Sequence, residues 1–323
     1  MRDNATLLLL DRDAIDALLS PDDALAAVRE AFCLHSRQEG RVFPMIREAL
    51  PGGGIFGIKA GDVASQELLG FKAAGFWPGN RAQGGEPHQA TILLFDPRTG
   101  RPHCVIDGNR ITTLRTGAAG GLGLLHLARP ESRRLCVFGT GVQARIQTRF
   151  ALRLMPDLDE VRYVSIDGAP DPRFEAEFAP RCQPRLAADR DAAVAASDIV
   201  ITATPGAGPL FSAEAVQPGT HLNCVGADTQ GKRELPPGLL ARAHLFVDDR
   251  EQARKIGESQ WAPDTPNCEL GALLTEATVF HRQPEDITVF DMTGLALQDL
   301  TTARMLFERA CERGLGTRIP WPW

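Results

Sequence analysis

The segment Arg134-Leu-Cys-Val-Phe-Gly-Thr-Gly-Val-Gln-Ala-Arg145 constrains this chain more than any other. A short apolar run, Leu135 to Phe138, ends in Gly139-x-Gly141-x-x-Ala144, and an amphipathic stretch continues to about Met155. That spacing predicts a strand, a tight turn and a helix. Gly139 permits the sharp turn, Gly141 allows close approach of a ligand to the backbone, and the small Ala144 lets helix and strand pack closely. The free N–H groups at the start of such a helix suit the diphosphate of a dinucleotide. A glycine-rich βα turn without a ligand has the same local pattern.

A chain of 323 residues, 43% hydrophobic and 24% charged, is long enough for one large or two medium globular domains. Its net charge of −6 is spread through the sequence, which argues against nucleic acid as a partner. No apolar run reaches the ~18 residues of a membrane helix. Leu7 to Leu10 is too short, and too acidic in its surroundings, for a signal sequence. The seven cysteines (Cys33, Cys104, Cys136, Cys182, Cys224, Cys268 and Cys311) are scattered and odd in number, so reduced thiols and a cytosolic protein are expected. The histidines show no metal-ligand spacing, so no metal site is expected.

Ser20-Pro21-Asp22-Asp23 reads as a helix start, and Leu25, Val28, Phe32 and His35 follow at helical spacing. Between Met45 and Asp107, short apolar runs alternate with glycine- and proline-rich turns, among them Asp96-Pro-Arg-Thr-Gly100. A mostly antiparallel sheet is expected there. A helix of small and apolar residues is expected over 113–127. Strands are then expected near 134–139, 161–166, 199–203, 221–226, 244–248 and 287–291, alternating with helices, and a last helix near 297–313. This rhythm predicts an α/β fold, a doubly wound parallel Rossmann sheet at 114–299. A smaller α+β domain is expected from 1–113 together with 300–323.

Three cations stand out. Lys72 interrupts an apolar strand, Arg115 falls in the first turn of the helix expected at 113, and Arg47 lies upstream. A cation near a helix N-terminus is unfavourable unless it meets an anion, so a clamp for a substrate carboxylate is one reading. Three unrelated surface cations are the other. Asp228 follows the apolar run ending at Gly226, where sheets of this kind bind ligands, and suits a general acid/base or a turn. Gly226-x4-Gly231-Lys232 approaches a phosphate-binding loop, but Arg233 replaces the magnesium-binding hydroxyl and Pro236-Pro237 would break the helix. Asp167 lies roughly 20 residues beyond the fingerprint, a position suited to a ribose hydroxyl and hence to NAD over NADP, or simply to a strand-end turn.

Several motifs together resemble the ornithine cyclodeaminase/μ-crystallin family: Gly70-Phe-Lys-Ala, Pro78-Gly-Asn80, Leu94-Phe-Asp-Pro-Arg-Thr-Gly100, Ile111-Thr-Thr-Leu-Arg-Thr-Gly-Ala-Ala119, Gly139-Thr-Gly-Val-Gln-Ala144, Gly219-Thr-His-Leu-Asn-Cys-Val-Gly-Ala-Asp228 and Thr293-Gly-Leu-Ala-Leu-Gln-Asp299. The resemblance spans Arg47 to Asp299. It implies a Rossmann domain with a substrate-binding and dimerisation domain, a homodimer, NAD or NADP as cofactor, and a small α-amino or α-imino acid as substrate. The implied activity is that of a ketimine or cyclic-imine reductase or amino-acid dehydrogenase. An ornithine-type cyclodeaminase that releases ammonia with internal NAD recycling is the alternative, and a non-catalytic binding protein a third reading. By the same resemblance, Arg47, Lys72 and Arg115 hold the substrate carboxylate and Asp228 is the acid/base. Val142, Gln143, Thr204, the loop from Val225 and Gly226 to Asp228, Lys232 and Thr293 contact the cofactor, and Gly294 borders the substrate. Two departures stand against the family pattern. The stretch Ile55-Phe-Gly-Ile-Lys-Ala60 lacks the cyclodeaminases' glutamate and Met-Pro pair, and Ser165 stands where their cofactor aspartate ends the second strand. Phe76 and Trp77 are expected to pack at the dimer interface.

Overall fold

The computed structural model describes residues 5–206 and 208–322. The chain divides into two compact units, Met1–Arg115 with Leu295–Trp323, and Thr116–Gly294. The second crossing falls at Gly294/Leu295, upstream of the boundary expected from sequence, so Gln298 and Asp299 belong to the first unit.

The first unit begins with strand β1 (Ala5–Leu10) and helices α1 (Arg12–Leu18) and α2 (Pro21–Ser36). Ser20 and Asp23 form a reciprocal capping box at the start of α2, with Asp23 N donating to Ser20 Oγ (3.2 Å) and Ser20 N to Asp23 Oδ2 (3.0 Å). Six strands follow: β2 (Arg41–Val42), β3 (Ile46–Ala49), β4 (Ile55–Val63), β5 (Leu68–Phe76), β6 (His88–Phe95) and β7 (Pro102–Asp107). The pairings from β2 to β7 are antiparallel, and β1 joins β7 in parallel. The turn between β6 and β7 is the expected one at Asp96–Gly100, where Gly100 takes φ +74°.

Helix α3 (Gly108–Leu127) starts five residues earlier than its apolar pattern suggests. Asp107 Oδ1 accepts from Asn109 N (2.8 Å) and so offers the upstream turn a side-chain partner. Arg115 therefore lies well inside the helix, not in its first turn. The dipole argument for an anion at Arg115 falls, and its charge is met instead by an acid described below.

The second unit carries the parallel sheet. Its strands are β8 (Arg134–Phe138), β9 (Glu160–Val164), β10 (Arg185–Leu186), β11 (Ile199–Thr202), β12 (His221–Cys224), β13 (His244–Val247), β14 (Asn267–Glu269) and β15 (Thr288–Asp291). Their order is β10-β9-β8-β11-β12-β15-β13-β14, and each neighbouring pair is parallel. Leu135 to Phe138, Ile199 to Ile201 and Val289-Phe290 are wholly buried, as continuous apolar strands between helical layers should be. Order reverses on either side of β8, which makes its C-terminal end a topological switch point.

The intervening helices are α4 (Val142–Leu154), α5 (Pro172–Phe178), α6 (Arg190–Ala195), α7 (Arg250–Ile256) and α8 (Leu270–Leu274). The second half of α3 also packs here. Gln147 Nε2 donates to Thr116 O (2.7 Å), and a Cβ at Gly120 would lie 1.9 Å from Gln147 Oε1, so a side chain there would displace the Gln147 amide from this bond. The chain returns to the first unit with α9 (Ala296–Arg313) and β16 (Thr317–Trp321), which pairs antiparallel with β1.

Candidate functional site

Within the first unit, Lys72 on β5 and Arg115 on α3 converge on one acid, Asp299 of α9. Lys72 Nζ lies 2.7 Å from Asp299 Oδ2, and Arg115 Nε donates to Asp299 Oδ1 at 3.1 Å. Arg115 Nη1 also donates to Gln298 Oε1 (3.0 Å), and Lys72 Nζ reaches Thr112 Oγ1 (3.3 Å). All three charged residues are buried: Lys72 is 4% exposed, Arg115 8% and Asp299 1%. Burial pushes the Lys72 ammonium down to about 7, with the Arg115 charge adding to the effect and Asp299 opposing it. Burial alone would raise Asp299, but Arg115 and Lys72 outweigh it and hold the carboxyl below its ordinary range. Nearby, His88 Nδ1 lies 3.1 Å from Asn109 Oδ1; burial, then the charge of Lys72, depresses its imidazole to about 4, so it is neutral near pH 7. Arg47, half-buried on β3, pairs across the sheet with Gly57. Of the three cations that the sequence singles out, Lys72 and Arg115 meet on Asp299. Sequence reasoning quoted Asp299, Gln298 and Thr112 only as motif residues and missed His88.

Within the second unit, the fingerprint turn has the geometry its glycines imply. Gly139 takes φ +102°, and a Cβ there would meet Ala203 O at 2.7 Å. Gly141 is the N-cap of α4, with no side chain capping the helix and open space where its Cβ would stand. Val142 is exposed, and Ala144 is buried among Leu135, Val137 and Val161. The buried Gln143 Oε1 accepts no hydrogen bond. An open glycine, uncapped helical N–H groups and an unsatisfied amide oxygen together fit a bound dinucleotide diphosphate and its neighbouring groups.

The loops leaving β11, β12 and β15 line the same C-terminal edge. Glu234, fully buried, ties two of them together. Its Oε1 accepts from Thr204 N (2.8 Å) and Thr204 Oγ1 (2.7 Å), and its Oε2 from Gly226 N (2.9 Å). Burial raises its carboxyl above the ordinary range. Val225 is half-buried beside Gly226. Asp228 and Lys232, both part-exposed, form an ion pair of 2.7 Å, and Thr229 Oγ1 donates to the same Asp228 oxygen (3.0 Å). Thr293 N and Oγ1 donate to Asp248 at 2.8 and 2.7 Å, Gly294 N also donates to Asp248, and Gln252 Nε2 donates to Thr293 Oγ1 (2.7 Å). Asp167 is exposed in the loop after β9, where its Oδ1 accepts from Ala169 N (3.1 Å). Ser165, directly after that strand, is buried and donates to Ala169 O (2.6 Å). Among the described residues, no three His, Cys, Asp or Glu are grouped to hold a metal, and no helix is long and apolar enough to cross a membrane.

A parallel sheet with a dinucleotide turn at its switch point, joined in one chain to a unit with buried paired cations, defines a dinucleotide-dependent oxidoreductase class. The chain belongs to the ornithine cyclodeaminase/mu-crystallin family, whose model matches residues 6–314. It is 33% identical to the iminosuccinate reductase of Paracoccus denitrificans over 97% of this chain and 99% of that one. An archaeal alanine dehydrogenase dimer with bound NAD superposes with a TM-score of 0.91 at 31% identity, covering 98% of this chain and 100% of the other. The Thermococcus litoralis Δ1-pyrroline-2-carboxylate reductase in complex with NADH and L-proline gives 0.87 at 27% identity, covering 97% and 100%.

Proposed function

We propose that this protein is an NAD-dependent oxidoreductase that interconverts a small α-imino acid and the corresponding α-amino acid. The observation that carries the reading is the buried set of two cations on one acid. Lys72 and Arg115 share Asp299, and a substrate carboxylate completes their charge. Arg47 supplies a further donor. A reduced nicotinamide held there would supply the hydride that converts the imine carbon to the amine carbon, with a proton added at nitrogen. The protein's share is to hold and orient. Gly139, Gly141, Gln143 and the first turn of α4 hold the diphosphate; Thr204, Val225, Gly226, Lys232 and Thr293 border the remainder. Gly294 borders the substrate. Asp228 holds the proton for the substrate nitrogen, released from its pair with Lys232. Asp167, on its exposed loop, is the acid assigned to the ribose.

The chain's half of β4 from Ile55 to Ala60 contains no acid, which disfavours ornithine-type deamination. A homodimer in a reducing, cytosolic setting completes the proposal, supported by the dimeric archaeal relative and by seven cysteines that are all free thiols. The test is loss of NADH or NADPH absorbance with cyclic imino acids and with 2-oxo acids plus ammonia. Oxidation with any of them is the expected result. Silence across the panel, with dinucleotide binding retained, would overturn the reductase reading, and ammonia release from ornithine would then separate a cyclodeaminase from a carrier.

A further inference from the structure

We propose that Gln298 is a positioning residue that holds the Arg115 guanidinium for the substrate carboxylate without cancelling its charge; the proposal rests on the reading of that centre given above. Gln298 and Asp299 are neighbours in the first turn of α9, and each takes one nitrogen of the same guanidinium. Arg115 Nε donates to Asp299 Oδ1 at 3.1 Å, and Nη1 donates to Gln298 Oε1 at 3.0 Å. A guanidinium has donors only, so the amide turns its oxygen to Nη1 and its NH2 away. The third nitrogen, Nη2, is bonded to neither residue. With two nitrogens gripped, Nη2 is held in one place for an incoming carboxylate oxygen.

An amide is not the residue that folding alone would select at this position. Gln298 is 1% exposed, and its Nε2 is buried with no hydrogen-bond partner. A buried donor left unsatisfied destabilises the folded chain by more than one ordinary hydrogen bond stabilises it. A methionine of similar volume has no such donor. A glutamate of the same shape would accept from Nη1 through a stronger, charge-assisted bond, and its two oxygens can bridge Nη1 and Nη2. What glutamate changes is the charge. Lys72, Arg115 and Asp299 bury two cations against one acid. The nearby His88 is depressed to about 4 and adds no charge near pH 7. A second acid at 298 would close the balance within the protein and take the place of the substrate anion. A neutral acceptor orients the cation and leaves the surplus charge for the substrate, and the unpaired Nε2 is the consequence of that neutrality.

The experiment measures KM and kcat of the wild type, Gln298→Glu and Gln298→Met with NADH and the faster of two substrates, Δ1-pyrroline-2-carboxylate and pyruvate plus ammonia. Glutamate keeps the acceptor and cancels the charge; methionine keeps the charge and loses the acceptor. KM should rise about 10- to 100-fold in Gln298→Glu, as loss of one charge-assisted contact implies. It should rise less, about 3- to 10-fold, in Gln298→Met, where only the neutral hydrogen bond is lost. In both, kcat should change less than KM. Thermal melting checks the fold, and Gln298→Glu should melt no lower than the wild type because its buried charges balance. The opposite order, with Gln298→Glu near the wild type and Gln298→Met impaired, shows that holding Arg115 is all Gln298 does and overturns the proposal. An unaltered KM in both variants overturns it too. A Gln298→Glu chain that does not fold overturns the charge balance on which the proposal stands. Silence of the wild type with both substrates counts against the reductase reading, and the inference is then read from propionate binding by NMR titration. Weaker binding to Gln298→Glu than to Gln298→Met supports it; equal binding overturns it.

Discussion

Asp228 and Lys232 are four residues apart in one loop and bonded at 2.7 Å, so each holds the other in place; the mechanism proposed above gives Asp228 the proton-handling role. Replacing Asp228 with Asn preserves shape and removes the titrating group. Turnover should fall about 100- to 10,000-fold, while NADH affinity, followed by nucleotide fluorescence, should hold. Undiminished turnover would remove Asp228 from the chemistry. The residues legible in the sequence were those whose type conflicts with their surroundings: Lys72 in an apolar strand, Arg115 among small helical residues, Asp228 at a strand end. Asp299 was visible only as a motif letter, because nothing local announces that a carboxylate 184 residues beyond Arg115 will be its counter-ion. Glu234, between Arg233 and Leu235-Pro-Pro, resembles an ordinary charged loop residue. Its partners are Thr204 in the loop after β11 and Gly226 at the start of its own loop.

At the scale of elements, the C-terminal edge of the parallel sheet is tied by buried carboxyls accepting backbone N–H groups. Glu234 joins the loops after β11 and β12 through Thr204 and Gly226, and its own N–H donates to Glu258 Oε1 (2.6 Å). Glu234→Gln places an amide NH2 where one of those N–H groups must be accepted, leaving donor against donor. NADH affinity should weaken about tenfold or more, and Glu234→Asp, too short to span both loops, should not restore it. Affinity equal to the wild type in titrations of both variants would show that the tie does not shape the nucleotide edge. The main strands of this sheet were legible because continuous apolar runs between turn signals leave little choice. The strands β10 and β14, two and three residues long, were not, because so short a run has no period to read. The start of α3 was hidden for a different reason: Gly108-Asn-Arg has little helical preference, and the Asp107 side chain supports the turn instead.

For the molecule as a whole, the same buried acids bear on stability. Burial, then the charge of Asp291, pushes Glu258 up to about 8; burial pushes Asp291 up to about 7. Both values exceed those of an unfolded chain, so the folded state holds extra protons between the acid range and mild alkali. Their contribution is present below the ordinary carboxyl range and is lost as pH rises through about 7 and 8. Lys72, depressed to about 7, opposes this trend above that pH, and His88 and His221, depressed to about 4 and 3, oppose it below their ordinary 6.5. The clean measurement is therefore a difference. Between about pH 6 and 9, the Tm of Glu258→Gln should gain on that of the wild type, by roughly 2–4 °C for each kcal/mol of proton linkage removed. Parallel curves would show that Glu258 is ionised throughout.

The first unit is assembled from both ends of the chain, with α9 and β16 arriving after Gly294. That arrangement has a consequence in time. As the polypeptide leaves the ribosome, Lys72 and Arg115 emerge long before the acid they share, and β1 waits for the strand at its flank until residue 317 has been made. The second unit, continuous from Thr116 to Gly294, is complete by then and free to fold during synthesis. The parallel sheet can thus be ready before the buried cations Lys72 and Arg115 have their counter-charge.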